Sequence, residues 1–114
     1  MYNDISERNL DEENVLCVAS AYEHKFFFNE KYDLIPSSIK EELQIMCVLF
    51  TEDVGGLIIL AFNSEGNLEI QTEHQEDDFL YDQIGSVLKI KELQREKEEL
   101  FSALEEFYRR FICC

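Results

Sequence analysis

The fold is organised by residues 77–111, which read DDFLYDQIGSVLKIKELQREKEELFSALEEFYRRF and contain one glycine and no proline. Apolar residues recur there at alternating spacings of four and three, which is the heptad pattern of a helix that packs along one seam. The sequence therefore predicts a long amphipathic helix over about residues 77–111. The seam positions are Leu80, Ile84, Val87, Leu93, Lys97, Leu100, Leu104, Phe107 and Phe111.

The heptad phase slips between Val87 and Leu93, so we expect a kink or a change of packing partner near residues 85–91. A continuous helix would be ~50 Å long at ~1.5 Å per residue, whereas a domain of this size has a radius of gyration of ~13 Å. Such a helix either protrudes or packs against a second copy of itself. The predicted dimer interface is the second half of the seam, namely Leu93, Leu100, Leu104, Phe107 and Phe111.

A β-hairpin is predicted before this helix. Residues 57–62 read LIILAF, residues 63–66 have turn composition, and apolar and polar residues alternate from Leu68 to Glu73. The first strand is apolar throughout, so it needs neighbours on both edges and both faces. Either residues 14–28 supply further strands, or a second chain completes the sheet.

Two helices are expected upstream of the hairpin. Ser38 and Glu41 form a capping box after Pro36, and the helix that follows should end at Gly55. Residues 11–28 are ambiguous, because Val15-Leu16-Cys17-Val18 and Phe26-Phe27-Phe28 have strand composition while apolar residues also share a helical face. We favour a helix over about residues 11–28, with strands as the alternative.

The predicted fold is a single α+β domain over residues 11–114, after a frayed N-terminus over residues 1–10. It contains two N-terminal helices, a β-hairpin and the long C-terminal helix. We expect the hairpin and the two upstream elements to pack on the first half of that helix.

The acidic charge is concentrated in one part of the chain. Of the 114 residues, positions 1–86 hold 19 acids and four bases, whereas positions 87–114 hold six of each. The net charge of −15 repels nucleic acid and anionic membranes but attracts a basic protein partner. Neither a membrane span nor a signal peptide is visible, so we expect a cytoplasmic protein.

The best candidate for site chemistry is an acidic tract with one histidine, whose carboxylates and imidazole are potential metal ligands. Its residues are Glu73, His74, Glu76, Asp77 and Asp78. The alternative, which we favour, is a solvated helix start whose carboxylates match the helix dipole. No phosphate-binding, catalytic or C-x-x-C motif is present, so the sequence predicts no cofactor and favours no enzyme class.

Five stretches carry a resemblance to a family of short acidic proteins of unknown function from anaerobic Firmicutes. The resemblance implies a bacterial cytosolic protein and no particular activity, ligand or site. The stretches are Ser20-Ala21-Tyr22-Glu23, Ile39-Lys40-Glu41-Glu42-Leu43, residues 46–56 (MCVLFTEDVGG), Glu76-Asp77-Asp78-Phe79 and residues 84–91 (IGSVLKIK).

The first functional hypothesis is a non-enzymatic interaction or adaptor module that forms a homodimer through residues 93–111 and a free sheet edge. It rests on the heptad seam and the unpaired apolar strand. A second hypothesis is a metal-dependent binder or hydrolase that uses the tract at 73–78. A third is an acidic decoy that occupies the basic groove of a nucleic-acid-binding protein.

Overall fold

The computed structural model describes residues 14–112, so the frayed segment expected at residues 1–10 lies outside the described part. The described residues form a four-stranded antiparallel sheet in the order β2-β1-β3-β4, together with helices. The elements are β1 (Val15–Ser20), β2 (Lys25–Phe28), α1 (Ser37–Val54), β3 (Leu57–Phe62), β4 (Leu68–Glu73), α2 (Gln83–Glu96) and α3 (Glu98–Phe111).

The prediction of a helix over residues 11–28 is wrong, because residues 15–28 form β1 and β2. Four successive residues of β1, Leu16 to Ala19, are buried, whereas an amphipathic surface helix would turn one side of such a run towards water. Burial on both faces suits a strand paired on both edges, and β1 lies between β2 and β3. The all-apolar β3 thus obtains its second neighbour from its own chain.

The hairpin of β3 and β4 is present, with Phe62 opposite Leu68 and Leu57 opposite Glu73. Asn63 organises its turn, because its side-chain oxygen accepts the backbone N–H groups of Glu65 and Asn67. Such Asx contacts replace backbone hydrogen bonds that a tight turn leaves unmade.

The helix α1 begins at Ser37 and ends where Gly55 adopts a φ of 86°, with the Gly55 N–H donating to Thr51 O. The expected capping box does not form, since Pro36 is the residue that precedes the helix and no side chain caps it.

The long C-terminal helix is two helices. The helical region begins at Gln83 instead of about residue 77, and its break lies at Lys97, where φ is −109° and ψ is 23°, instead of near residues 85–91. The alternative expected there, a change of packing partner, is observed, because Leu88 is exposed whereas Ile90 contacts the core. Lys97 is the polar position of the seam, and its ammonium group lies 3.1 Å from a carboxylate oxygen of Glu42 on α1. The interruption therefore occurs where the seam offers no apolar side chain to the core.

The helices cover one face of the sheet. One core cluster unites Ile58, Leu60 and Phe62 of β3 with inward residues of all three helices, and the Phe62 ring stacks on Tyr108 of α3 at 4.3 Å between centroids. A second, smaller cluster on the opposite face contains Val18, Leu57 and Ile59 and receives no residue from a described helix. The sheet is thus the centre of the fold, and the helices form a layer beside it.

The C-terminal helices stay with the body of the molecule. The molecule measures 41 × 30 × 25 Å and has a radius of gyration of 13.7 Å. Its longest dimension is therefore shorter than the ~50 Å of one continuous helix. The expectation that the hairpin packs on the first half of the helix is also wrong, because the second half, α3, supplies Phe101, Leu104 and Tyr108 to the core.

Candidate functional site

The acidic tract with its histidine lies in the segment that joins β4 to α2. The His74 ring stacks on Tyr81 with centroids 4.4 Å apart. Its Nδ1 lies 3.0 Å from the carbonyl oxygen of Gln75 and its Nε2 lies 3.2 Å from the side-chain nitrogen of Gln83. A carbonyl only accepts, so Nδ1 donates and Nε2 accepts from the Gln83 amide. Both ring nitrogens are therefore occupied within the protein.

The carboxylates of the tract point to different partners. Asp78 accepts hydrogen bonds from the Tyr22 hydroxyl and from the backbone N–H of Leu80. Glu76 and Asp77 are exposed, and Glu73 ends β4. Within residues 14–112 no three His, Cys, Asp or Glu side chains lie close enough to hold a metal ion. The structure does not bring the five predicted metal ligands together.

The same segment is instead anchored to the sheet and to α1. The Tyr22 hydroxyl accepts the N–H of Gln75, and the N–H of Asp82 donates to Val54 O at the end of α1. The Tyr81 ring lies over Gly56, so close that a Cβ there would be 2.8 Å from the ring. These attachments fix the path of the chain on either side of Phe79 and Leu80.

The predicted dimer interface, residues 93–111, is largely occupied by the protein's own core. Leu93 is only 7% exposed and Leu104 only 2% exposed, and both belong to the main core cluster. Leu100 and Phe107 are partly buried against that cluster, while Phe111 remains exposed beside Phe107. The second half of the seam thus contacts the sheet.

The first half of the seam is the exposed half. Phe79 and Leu80 are 92% and 93% exposed, and Ile84, Val87 and Leu88 are exposed along one side of α2. Monomeric proteins rarely leave contiguous large apolar side chains in water, and such patches mark contact sites. We call these five residues the outer apolar surface: Phe79, Leu80, Ile84, Val87 and Leu88.

The sequence contains a signal for this surface, although the same signal also fits packing against the body of the protein. Leu80, Ile84 and Val87 open the heptad seam, and the spacing alone does not say which partner the seam meets. Leu88 lies four residues after Ile84, so it widens the same side of the helix.

Opposite charges flank the outer apolar surface. Asp77 lies before it in the chain and Asp82 lies between Leu80 and Ile84, and both carboxylates are exposed. Lys91 and Arg95 follow Ile84 and Leu88 by seven residues each, which places them on the same side of α2. None of the ion pairs found within the described residues uses Lys91 or Arg95. The surface therefore runs from acidic through apolar to basic.

The two cysteines within the described residues are buried free thiols, Cys17 on β1 and Cys47 on α1. Burial, followed by the contact with Cys47, raises the pKa of Cys17 well above its ordinary value. Reactive cysteines require an accessible thiolate, so Cys17 acts as an apolar core residue. The terminal pair Cys113 and Cys114 lies outside the described residues.

The chain is an α+β protein with a four-stranded antiparallel sheet, a helical layer on one face and an uncovered apolar helix surface. A family model described as a family of unknown function, DUF6145, matches residues 13–114, and the chain belongs to this family. No curated protein and no solved structure matches it. No helix in the described part of the chain is long and apolar enough to cross a membrane.

Proposed function

We propose that the protein is a non-enzymatic interaction module whose two copies pair through the outer apolar surface. The observation that carries the proposal is the exposure of five large apolar side chains in one continuous stretch of chain. The proposed interface thus moves from residues 93–111 to the first half of the same helical region. We also propose that the protein is bacterial and cytosolic, as the family resemblance implies.

A second copy fits this surface because the surface is complementary to itself. In a dimer with two-fold symmetry each chain uses the same patch, so the start of one patch meets the end of the other. An antiparallel pair of α2 helices places Asp77 and Asp82 of one copy beside Lys91 and Arg95 of the other. Ile84 of one copy then meets Leu88 of the other on either side of the two-fold axis.

The β4 edge of the sheet is a weaker candidate for pairing than the helix. The outer strands are β2 and β4. Leu68, the first residue of β4, donates its backbone N–H to the carboxylate of Glu105 on α3 at 2.7 Å. A strand adding to this edge would have to displace that carboxylate, so the proposed dimer does not use it.

A metal-dependent activity is not part of the proposal. Both ring nitrogens of His74 form hydrogen bonds within the protein, and the Asp78 carboxylate accepts one from the Tyr22 hydroxyl. The net charge of −15 supports a role in which the paired copies present acidic surfaces to a basic protein partner.

The test is light scattering on a size-exclusion column, with reductant present and at low and high salt. We expect the native chain to be a dimer at micromolar concentration and Leu88→Glu to be a monomer, because a carboxylate would be buried without a partner. Leu34→Glu is the matched control, since Leu34 is also more than half exposed but lies before α1. A native monomer, or a dimeric Leu88→Glu variant, would show the proposal to be wrong.

Charge exchange tests the antiparallel arrangement. Asp77→Lys and Arg95→Glu should each weaken the dimer, because each places like charges across the interface. The double variant Asp77→Lys/Arg95→Glu should recover pairing, because it reverses both ends together. If the double variant is weaker than either single variant, the two copies do not meet in this orientation.

A further inference from the structure

A groove lies between α1 and α2, on the side of α2 that faces away from the outer apolar surface. Two ion pairs between the helices mark its length, Lys89 with Asp53 at 3.0 Å and Lys97 with Glu42 at 3.1 Å. The helices therefore run antiparallel, and the groove spans the twelve residues from Glu42 to Asp53, about three helical turns or ~16 Å. Its volume is about 480 Å³.

The floor and one wall of the groove are apolar. Met46 and Phe50 of α1 and Leu93 of α2 form the floor and are buried. Ile45 and Leu49 line the α1 side at a spacing of four residues, and both side chains are more than half exposed. An apolar side chain of a partner would therefore contact apolar atoms both below it and beside it.

The rim of the groove is acidic. Five carboxylates and two ammonium groups line it, and both ammonium groups are held by the ion pairs between α1 and α2. Three of the five carboxylates already lie in ion pairs with these two lysines. Within the described residues Glu41 and Glu96 have no such ion pair, so they are the carboxylates that a basic partner would meet first. The lining carboxylates are Glu41, Glu42, Asp53, Glu92 and Glu96.

We propose that this groove binds an amphipathic basic helix of about three to four turns from a partner protein. Helix-in-groove recognition requires an apolar trough that accepts side chains at i, i+3 or i+4 and i+7, and a rim that selects the flanking charge. The apolar floor supplies the first requirement, and the acidic rim selects lysine and arginine over glutamate. The outer apolar surface has no part in this site, so both copies of a dimer keep their grooves open.

The probe is a fluorescent peptide of leucine and lysine, about four helical turns long, with leucines at helical spacing. The comparison peptide carries glutamate at each lysine position. Fluorescence anisotropy should show saturable binding of the basic peptide and affinity lower by roughly tenfold or more for the acidic one. Equal affinity for both peptides would overturn the proposal.

Variants place the binding in the groove. Leu49→Asp and the double variant Glu41→Lys/Glu96→Lys should each reduce the affinity for the basic peptide by roughly tenfold or more. The double variant Glu30→Lys/Glu65→Lys changes the net charge equally at exposed positions outside the groove. It should change the affinity by about twofold or less. If it weakens binding as much as the groove variants, or if Leu49→Asp binds normally, the peptide is attracted only by overall charge.

Circular dichroism should show the same helix content for Leu49→Asp as for the native chain, because the Leu49 side chain is more than half exposed. The variant Leu88→Glu separates this proposal from the dimer proposal. It should bind the peptide with native affinity whether or not it pairs, so failure of one proposal leaves the other standing. Loss of peptide binding in Leu88→Glu would place the site on the outer apolar surface and overturn the groove assignment.

Discussion

The helices α2 and α3 are separated by one residue and both carry apolar residues at heptad spacings, yet most of these residues are buried on α3 and exposed on the first half of α2. α3 directs Phe101, Leu104 and Tyr108 into the core, whereas α2 leaves Ile84, Val87 and Leu88 in water. A heptad seam therefore identifies the packing surface of a helix, but it does not identify the element or molecule against which that surface packs. Whether that partner is the chain's own sheet or another molecule depends on the position of each helix.

The distribution of apolar residues around each helix explains the difference. α3 gathers its buried residues on one side and carries charged residues on the other, so its orientation on the sheet is determined. α2 carries apolar residues on two sides: Leu93 and Ile90 reach the core, and Ile84, Val87 and Leu88 remain outside. A helix that is apolar on two sides and lies at the surface buries one side and exposes the other.

The largest expected effect comes from truncating one apolar side chain on each helix, Leu104 on α3 and Ile84 on α2. Leu104→Ala removes a buried side chain and should lower the free energy of unfolding by about 2–5 kcal/mol. Ile84→Ala should change it by about 0.5 kcal/mol or less. Urea denaturation, performed in the Leu88→Glu background so that association does not contribute, measures both. Similar losses for the two variants would mean that Ile84 is packed in solution and that the comparison fails.

The second effect concerns the anchor that fixes the chain before α2. Gly56 has a φ of 70°, and an added Cβ would lie 2.5 Å from the backbone oxygen of Glu73. Gly56→Ala should therefore cost about 1–2 kcal/mol for the backbone conformation and about 1–3 kcal/mol for the displaced neighbours. It should also weaken the dimer, because the displaced chain carries Phe79 and Leu80.

Gly66→Ala is the matched control for Gly56→Ala. Gly66 has a φ of 83°, but the nearest atoms belong to the flexible Arg109 side chain at 3.2 Å. This variant should show only the backbone cost of about 1–2 kcal/mol and normal pairing. Equal thermal stability of the two variants would mean that the contact with Glu73 does not hold the segment in place.

The smallest expected effect concerns two tyrosines, Tyr22 beside the segment before α2 and Tyr32 beside α3. Tyr22 anchors the segment before α2 through Asp78 and Gln75, so Tyr22→Phe should lose about 1–2 kcal/mol. Tyr32 lies beside Tyr108 of α3, and its buried hydroxyl finds no hydrogen-bond partner in the described part of the chain. Tyr32→Phe should therefore leave the stability at neutral pH unchanged or raise it by about 1 kcal/mol. A clear loss for Tyr32→Phe would reveal a partner for its hydroxyl.

Stability at alkaline pH provides a second test of the surroundings of Tyr32. Burial, followed by the neighbouring Tyr108, raises the pKa of Tyr32 to about 12. Because the folded state holds this proton more tightly than the unfolded chain, its contribution is complete below pH ~10 and is lost as pH rises through about 12. Denaturation midpoints measured across this range should fall less for Tyr32→Phe than for the native chain.

Local pattern predicted the α+β class, the helix before Gly55 and the hairpin of β3 and β4, because capping, turn and alternation signals lie within each segment. It mistook β1 for a helix because the evidence for a strand is non-local: β1 is defined by pairing with β3, some forty residues later. Burial of Val18 and Cys17 on opposite faces cannot be distinguished from helical spacing within so short a window.

The candidate surface was only half visible in the sequence. The heptad spacing shows Leu80, Ile84 and Val87 as seam residues, but the path of the chain before α2 is fixed by the contact of Tyr81 with Gly56 and by the hydrogen bond of Gln75 to Tyr22. These contacts join residues more than twenty positions apart, so the spacing of apolar residues along the sequence does not predict them. The helix break lies at Lys97 and not near residues 85–91, and Lys97 contacts Glu42 on another helix, which the local pattern does not show.

The hydrogen bond from Leu68 to Glu105 has a consequence for how copies of this protein accumulate. An open outer strand recruits further strands without limit and leads to fibrous aggregates. Here a carboxylate occupies the first outward N–H of β4, and Glu69 adds a second negative charge beside it. Association through β4 is thereby disfavoured, whereas the proposed two-fold pairing on the helical side would consume the surface that drives it. A dimer of that kind would end at two copies, so the protein should remain dispersed at concentrations at which an uncapped β4 edge would lead to precipitation.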